Sequence, residues 1–313
     1  MTSTNIKGFG ALAAAAAIVL AGCATSPEPR HTASTPYYTP TARSDERLEA
    51  QASAFESFMH KASGIDASFS GPGEVSQALQ TGASHEPKQF EAGMIAYAAM
   101  AALQEPGFVA GVQRASRDRD LANRLTANPE LATDLPGGDA AAARANAALF
   151  RQGEALADDG QKVKRAAYSV QHQAWSKARV PDPAGRLSRV KRLSTVSYQA
   201  SAGDEARMRG AVAQGGRRGG ATSPVVARGV ALAALSVLGQ SDRGRALMSE
   251  PRTAMCLRMA KLNLYQCLAS AGPHYEDIFC LGQHAMIDPG QCVVEATKAP
   301  THRMVATKAS YRR

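Results

Sequence analysis

The chain has 313 residues, of which 36 are Lys or Arg and 27 are Asp or Glu, for a net charge of +9; only 5% are aromatic and five are cysteine. Scarce aromatics and abundant alanine argue against strands and for close-packed helices. Alanine is the best helix former and lacks the β-branching that suits a sheet. The length allows one large domain or two small ones.

The N-terminus opens with Lys7 as its one charge, followed by an uncharged, alanine-rich run from Gly8 to Leu20. A basic start and a short apolar stretch are the layout of a secretory signal. The run is too short for a permanent transmembrane helix, which needs roughly 20 apolar residues. It ends in Leu20-Ala21-Gly22-Cys23. These four residues resemble the lipobox of bacterial lipoproteins at every position. The resemblance implies that residues 1–22 are removed as a signal peptide and that the Cys23 thiol is diacylglycerated. It also implies that the new amine is acylated, and two or three acyl chains give stable anchoring where one is marginal. The alternative is an ordinary signal peptide with a cysteine by coincidence. Lipoproteins with Asp after the cysteine tend to stay in the inner membrane; Ala24 stands here, which implies the outer membrane of a diderm bacterium. The resemblance says nothing about the rest of the chain.

Residues 23–43 carry four prolines with many Ser and Thr, the composition of a disordered tether that holds a domain off the membrane. Helical pattern starts near Asp45 and runs to about Lys61. A Gly/Ser-rich break follows at Ser68–Gly73. Glu86-Pro87 then opens a strong helix, with proline suited to a first turn. Its Ala92–Leu103 stretch is apolar nearly all round and is expected to be central and buried. Shorter helices are expected at Phe108–Ser116 and Arg119–Thr126. After the Pro136-Gly137-Gly138 break, a long helical region reaches about Lys177, with an interruption expected near Asp158-Asp159-Gly160. Pro181-Asp182-Pro183 stops it. Residues 181–222, rich in Arg and Gly, read as a linker or loop. A second apolar helix runs from about Ser223 to Leu238. The domain is thus expected as two helical regions, 44–180 and 223–313. Ala-Met-Ala-Ala-Leu at 99–103 echoes Ala-Leu-Ala-Ala-Leu at 231–235, but such identity is cheap in an alanine-rich chain.

Charge is uneven. From Ala141 to Arg228, 16 Lys or Arg stand against 6 Asp or Glu. Outside the cytoplasm, the anions available to such a stretch are lipid and lipopolysaccharide phosphates or acidic proteins, so an anionic envelope component or protein partner fits region 141–228 and nucleic acid does not. The bland alternative is a solvated helix surface.

Four further cysteines, Cys256, Cys267, Cys280 and Cys292, lie within 37 residues near the C-terminus. An even number in an exported chain points to two disulfides. Cys256 and Cys267 are 11 apart, which brings both sulfurs to nearly one helix face, and Gly272-Pro273 turns the chain back. A ladder, Cys267–Cys280 inside and Cys256–Cys292 outside, is the natural pairing of a stapled helical hairpin, although the two other pairings stay open. Asp288-Pro289-Gly290 suggests that the return limb is not one helix. No C-x-x-C pair supports redox catalysis.

His274, Glu276, Asp277 and His284 lie between the cysteines and offer side chains suited to a metal or to acid–base work. Their spacing fits no zinc motif, and helix capping is the simpler role. Tyr168, His172 and Trp175 fall at i, i+4 and i+7, as a packing face or as a stripe for a sugar or lipid ring system. No nucleophile elbow or phosphate loop is present. No catalytic residue, cofactor or metal is therefore assigned. The sequence reads as an all-α, membrane-anchored envelope lipoprotein that binds or scaffolds. The alternatives are a hydrolase with a His/acidic site near 274–284, or a carrier holding an apolar ligand between its two alanine-rich helices.

Overall fold

In a computed structural model the described residues are 43–299. The expected signal segment, Cys23 and the expected tether up to residue 42 lie outside them. Among the described residues there is no strand, only one isolated antiparallel bridge between Arg179 and Pro273. The expected all-α class is what the chain adopts.

Thirteen α-helices occur in this span: α1 (Arg43–Ser63), α2 (Pro72–Ala83), α3 (Pro87–Ala102), α4 (Pro106–Ala115), α5 (Leu121–Ala127), α6 (Gly138–Val170), α7 (Ala174–Lys177), α8 (Pro183–Leu193), α9 (Ala202–Ala213), α10 (Pro224–Val237), α11 (Pro251–Ser270), α12 (His274–Cys280) and α13 (Asp288–Ala296). Proline begins six of them: α2, α3, α4, α8, α10 and α11. Its fixed φ suits the first turn, and the N–H it lacks would have no helical partner there. Side chains supply the missing caps. Glu86 accepts from the Gln89 N–H, Ser223 from that of Val226, and Glu250 from those of Arg252 and Thr253.

The core forms around α3 and α10. From Phe90 to Leu103 all but Ala92 are buried, and so are Val225–Ser236 except Arg228. The two helices touch. A Cβ added at Gly229 of α10 would stand 2.6 Å from the Ala98 Cβ of α3. At that crossing the two alanine-rich helices are in direct contact and leave no room between them. The expected regions 44–180 and 223–313 share one core, because buried residues from Leu48 to Ala296 form one cluster.

Residues 181–222 depart from the linker expectation. Two helices, α8 and α9, occupy most of the segment. Asp182 accepts from the Gly185 N–H, and Ser201 forms a capping box with Asp204. The Pro-Asp-Pro read as a stop is also a start. Each helix needs only a narrow buried stripe, Arg186 and Val190 in α8 and Asp204, Met208 and Val212 in α9. The glycine run beyond α9 is a loop, and arginines pin it to α6. Arg151 donates to the Gly215 carbonyl at 2.7 Å, and Arg218 stacks 3.9 Å from the Phe150 ring centroid. The expected interruption at Asp158–Gly160 is absent, and α6 runs 33 residues without a break. Gly160 serves packing instead, since a Cβ there would meet Met286 at 2.8 Å.

The C-terminal hairpin is stapled as the ladder expectation has it. Cys256 pairs with Cys292 across 5.8 Å between Cα atoms, and Cys267 pairs with Cys280 across 5.7 Å. Its return limb, however, is continuously helical from His274 to Ala296. The physical reason is a π-helical turn, Leu281–Ile287, directly before Pro289. A π turn shifts the hydrogen-bond register by one residue, so a proline lacking its N–H fits without ending the helix.

Candidate ligand-binding site

The hairpin brings α12 against the C-terminal end of α11. Between them, α8 inserts Arg186. Its guanidinium pairs with the Asp277 carboxylate and donates to the Leu268 carbonyl and, at 3.1 Å, to that of Ala271. A cation placed on the last carbonyls of a helix is favoured by the helix dipole. Burial raises the Asp277 carboxyl above its usual range, with the hydrogen bond and charge of Arg186 opposing it. Glu276 turns back and accepts from the Gly272 N–H at 2.7 Å, and the Tyr275 hydroxyl donates to it at 3.4 Å. His274 is also buried; burial and the Arg186 charge both lower its basicity.

His284 does not join these residues. It bonds Asp288 at 2.8 Å, and Gln283 donates to the same carboxylate at 2.8 Å. Burial raises the Asp288 carboxyl, but these bonds outweigh it and hold it below the ordinary value. The four residues singled out in sequence therefore divide into two sets. His274, Glu276 and Asp277 gather at the hairpin turn, and His284 belongs to a separate helical pair. Among the described residues no group of three or more His, Cys, Asp or Glu could hold a metal ion. Neither Asp277 nor Glu276 caps α12, which has no side-chain cap: Asp277 spends its carboxylate on Arg186, and Glu276 accepts from the Gly272 N–H of the turn.

Beside that turn lies a groove of about 420 Å³ between α6, α11 and α12. Tyr168 forms one wall, Tyr275 and Phe279 the other, and the Cys267–Cys280 disulfide lies along it. Tyr168 is 55% exposed, and its ring stands edge-on to Phe279 with centroids 6.4 Å apart. Gln171, Ser270 and Glu276 supply polar edges. Lys164 lies 5.3 Å from the Phe279 centroid and donates to Gln283 at 2.7 Å. The expected stripe of Tyr168, His172 and Trp175 does not survive as a single face. The helix ends at Val170 and Trp175 falls in α7. Tyr168 instead meets Phe279, a ring 111 residues away and invisible to local periodicity.

A second polar inclusion escaped sequence reading altogether. The Lys261 amine is buried in α11, 3.0 Å from the Ala83 carbonyl and 3.2 Å from His85 Nδ1. Burial pushes it down to about 7, with Glu86 opposing. Burial, and then the Lys261 charge, hold His85 well below its usual value. His85 itself packs at a tilt against the Phe58 and Phe90 rings.

The basic stretch 141–228 is partly consumed by the fold. Besides Arg151, Arg186 and Arg218, Arg207 pairs with Glu56 and Asp204, Arg209 with Glu49, and Arg217 with Glu105. Compared with protein-family models, curated proteins and solved structures, the chain matches none.

Proposed function

We propose that this chain is an outer-membrane lipoprotein that works by binding: Cys23 carries the acyl chains, and the groove between α6, α11 and α12 receives a ring-bearing, anionic envelope component. The observation that carries the binding reading is the meeting of Tyr168, Tyr275 and Phe279 in one groove with polar groups at its edges. Its volume of about 420 Å³ falls within the usual ~300–1,000 Å³ of small-ligand sites. Tyrosine offers an apolar ring face and a polar tip together, which suits a sugar ring. Lys164, outside the lining but over the Phe279 ring, adds a positive charge beside the groove that favours an acidic ligand, and it is a member of the basic stretch that favours anionic partners. The lipobox residues, Leu20-Ala21-Gly22-Cys23, support the anchor.

Two measurements test the two halves. Cells fed labelled palmitate should label the parent chain and leave a Cys23→Ser chain unlabelled; equal labelling ends the anchor reading. For the groove, the Cys23→Ser chain is titrated with a carboxylated amino-sugar fragment, a phosphorylated sugar and a neutral disaccharide while tyrosine ring resonances are followed. The acidic sugars should shift Tyr168 and Tyr275 saturably, and Tyr168→Ala with Phe279→Ala should abolish the effect. Rings that respond to none of the three sugars would overturn the groove reading.

A further inference from the structure

Helix α11 is apolar on two sides. Leu257, Leu264 and Leu268 face the core. On the opposite side stand Met255, Met259 and Leu262, at i, i+4 and i+7, which is one helix face about 10 Å long. They are 53%, 45% and 45% exposed, and they make up three of the five large apolar side chains exposed among the described residues. Such concentration on one face marks an interaction surface, whereas single exposed apolar residues are ordinary.

The charges around this face select its occupant. At 100° per residue, Arg258 lies on one flank of the apolar trio and Arg252 on the other; both are exposed. Helix α11 contains no acidic residue. The nearest acid in sequence, Glu250, is buried as the helix cap, and Glu295 of α13, which shares a groove with Arg252, is paired with Lys298. An apolar strip between two arginines, on a helix with no carboxylate of its own, complements a surface that is apolar below and anionic above. Bilayer lipid with anionic headgroups has that arrangement, and arginine can keep its guanidinium at the phosphates while its stem lies along the apolar layer. A second copy fits less well, because a two-fold contact would set the arginines of one face among those of the other. The chain length also permits it. The 20 links from Cys23 to Arg43 reach at most about 70 Å, more than the ~45 Å diameter of a domain this size.

We propose that the outer face of α11, through Met255, Met259 and Leu262 flanked by Arg252 and Arg258, is a lipid-contacting surface that lays the domain on the membrane. This rests on the lipoprotein reading for its setting, yet its test is independent of Cys23. The probe is vesicles of phosphatidylcholine with one quarter phosphatidylglycerol, and the protein is the chain from residue 23 onward with Cys23→Ser. It should co-sediment with these vesicles in a salt-sensitive way. Met255→Ser/Met259→Ser/Leu262→Ser should lower the partition coefficient on the order of a hundred-fold, as expected for three half-exposed side chains. Arg252→Glu/Arg258→Glu removes at least the roughly five-fold attraction of each arginine. These residues are exposed, so both variants should melt with the parent, and either one alone tests the face. Co-sedimentation unchanged in the variants overturns the proposal. So does a dimer, seen by analytical ultracentrifugation of the parent and lost in the triple variant, without vesicle binding. A negative palmitate result with positive co-sedimentation would fail the anchor and leave this surface standing.

Discussion

Two cations are buried against α11, and they are satisfied differently. Arg186, brought in by α8, meets the Asp277 carboxylate and two carbonyls at the end of the helix. Lys261, inside the helix, meets one carbonyl and a histidine. A buried charge is costly unless it is paired and hydrogen-bonded. Arginine cannot discharge, so it requires the carboxylate and the fork of acceptors. Lysine can discharge, and burial without a carboxylate moves it toward doing so. The difference assigns roles: the Arg186 site fixes geometry at the hairpin turn beside the aromatic groove, while the Lys261 site is sensitive to protonation.

The sharpest way to break the comparison is to remove the arginine. Arg186→Ala leaves Asp277 buried without its partner and frees the last carbonyls of α11. By the usual cost of breaking a buried pair, the expected loss is about 3–5 kcal/mol in chemical denaturation. Asp277→Ala in the same background should then cost little more, because the stranded charge has gone. A full additive penalty in the double variant would show that the two residues do not act as a unit.

The inner disulfide is the covalent counterpart of that clasp. Cys267→Ser/Cys280→Ser opens a loop with a sequence separation of 13, for which restriction of the unfolded chain is worth about 3 kcal/mol. The outer bridge, with a separation of 36, should cost somewhat more on the same reasoning. Only the inner bridge lines the groove. Its removal should therefore weaken binding of the acidic sugar as well as stability, while removal of the outer bridge lowers stability alone.

How much of this was legible follows from range. The burial of Ala92–Leu103 and of the second apolar helix is written in composition, because an all-apolar helix has only the interior to occupy. The ladder of disulfides follows from helical phase plus one forced turn, both local. The two helices in 181–222 were hidden because each shows the core only two or three residues, and those include a charge, Asp204 in α9 and Arg186 in α8. The burial of Arg186 makes sense only with Asp277, which lies 91 positions along the chain. The same distance effect misled the reading of 274–284. Nearness in sequence put His274 and His284 together, whereas the π turn and the helical phase send His284 to Asp288. The groove was half visible, since Tyr168 stood out and Phe279 did not.

The comparison is sharpened most finely by pH. Lys261 titrates at about 7 in the folded chain against 10.5 for the free side chain. Below pH 7 the amine is charged in both states, and its burial is an unrelieved cost. Between pH 7 and 10.5 the unfolded chain holds a proton that the folded chain has released, so stability rises with pH through this window. One proton of difference is worth up to about 1.4 kcal/mol per pH unit. Tyr97, raised by burial to about 12, acts with the opposite sign above pH 10, so the useful range ends near pH 9.5. Lys261→Met keeps the volume and removes the titration. Its stability relative to the parent should be greatest at pH 7 and shrink steadily toward pH 9.5 by denaturant unfolding. Arg186, charged throughout, should give Arg186→Ala a nearly constant deficit over the same range. Parallel stability curves for Lys261→Met and the parent would mean that the buried amine does not discharge, and the two cations would then differ in partners but not in behaviour.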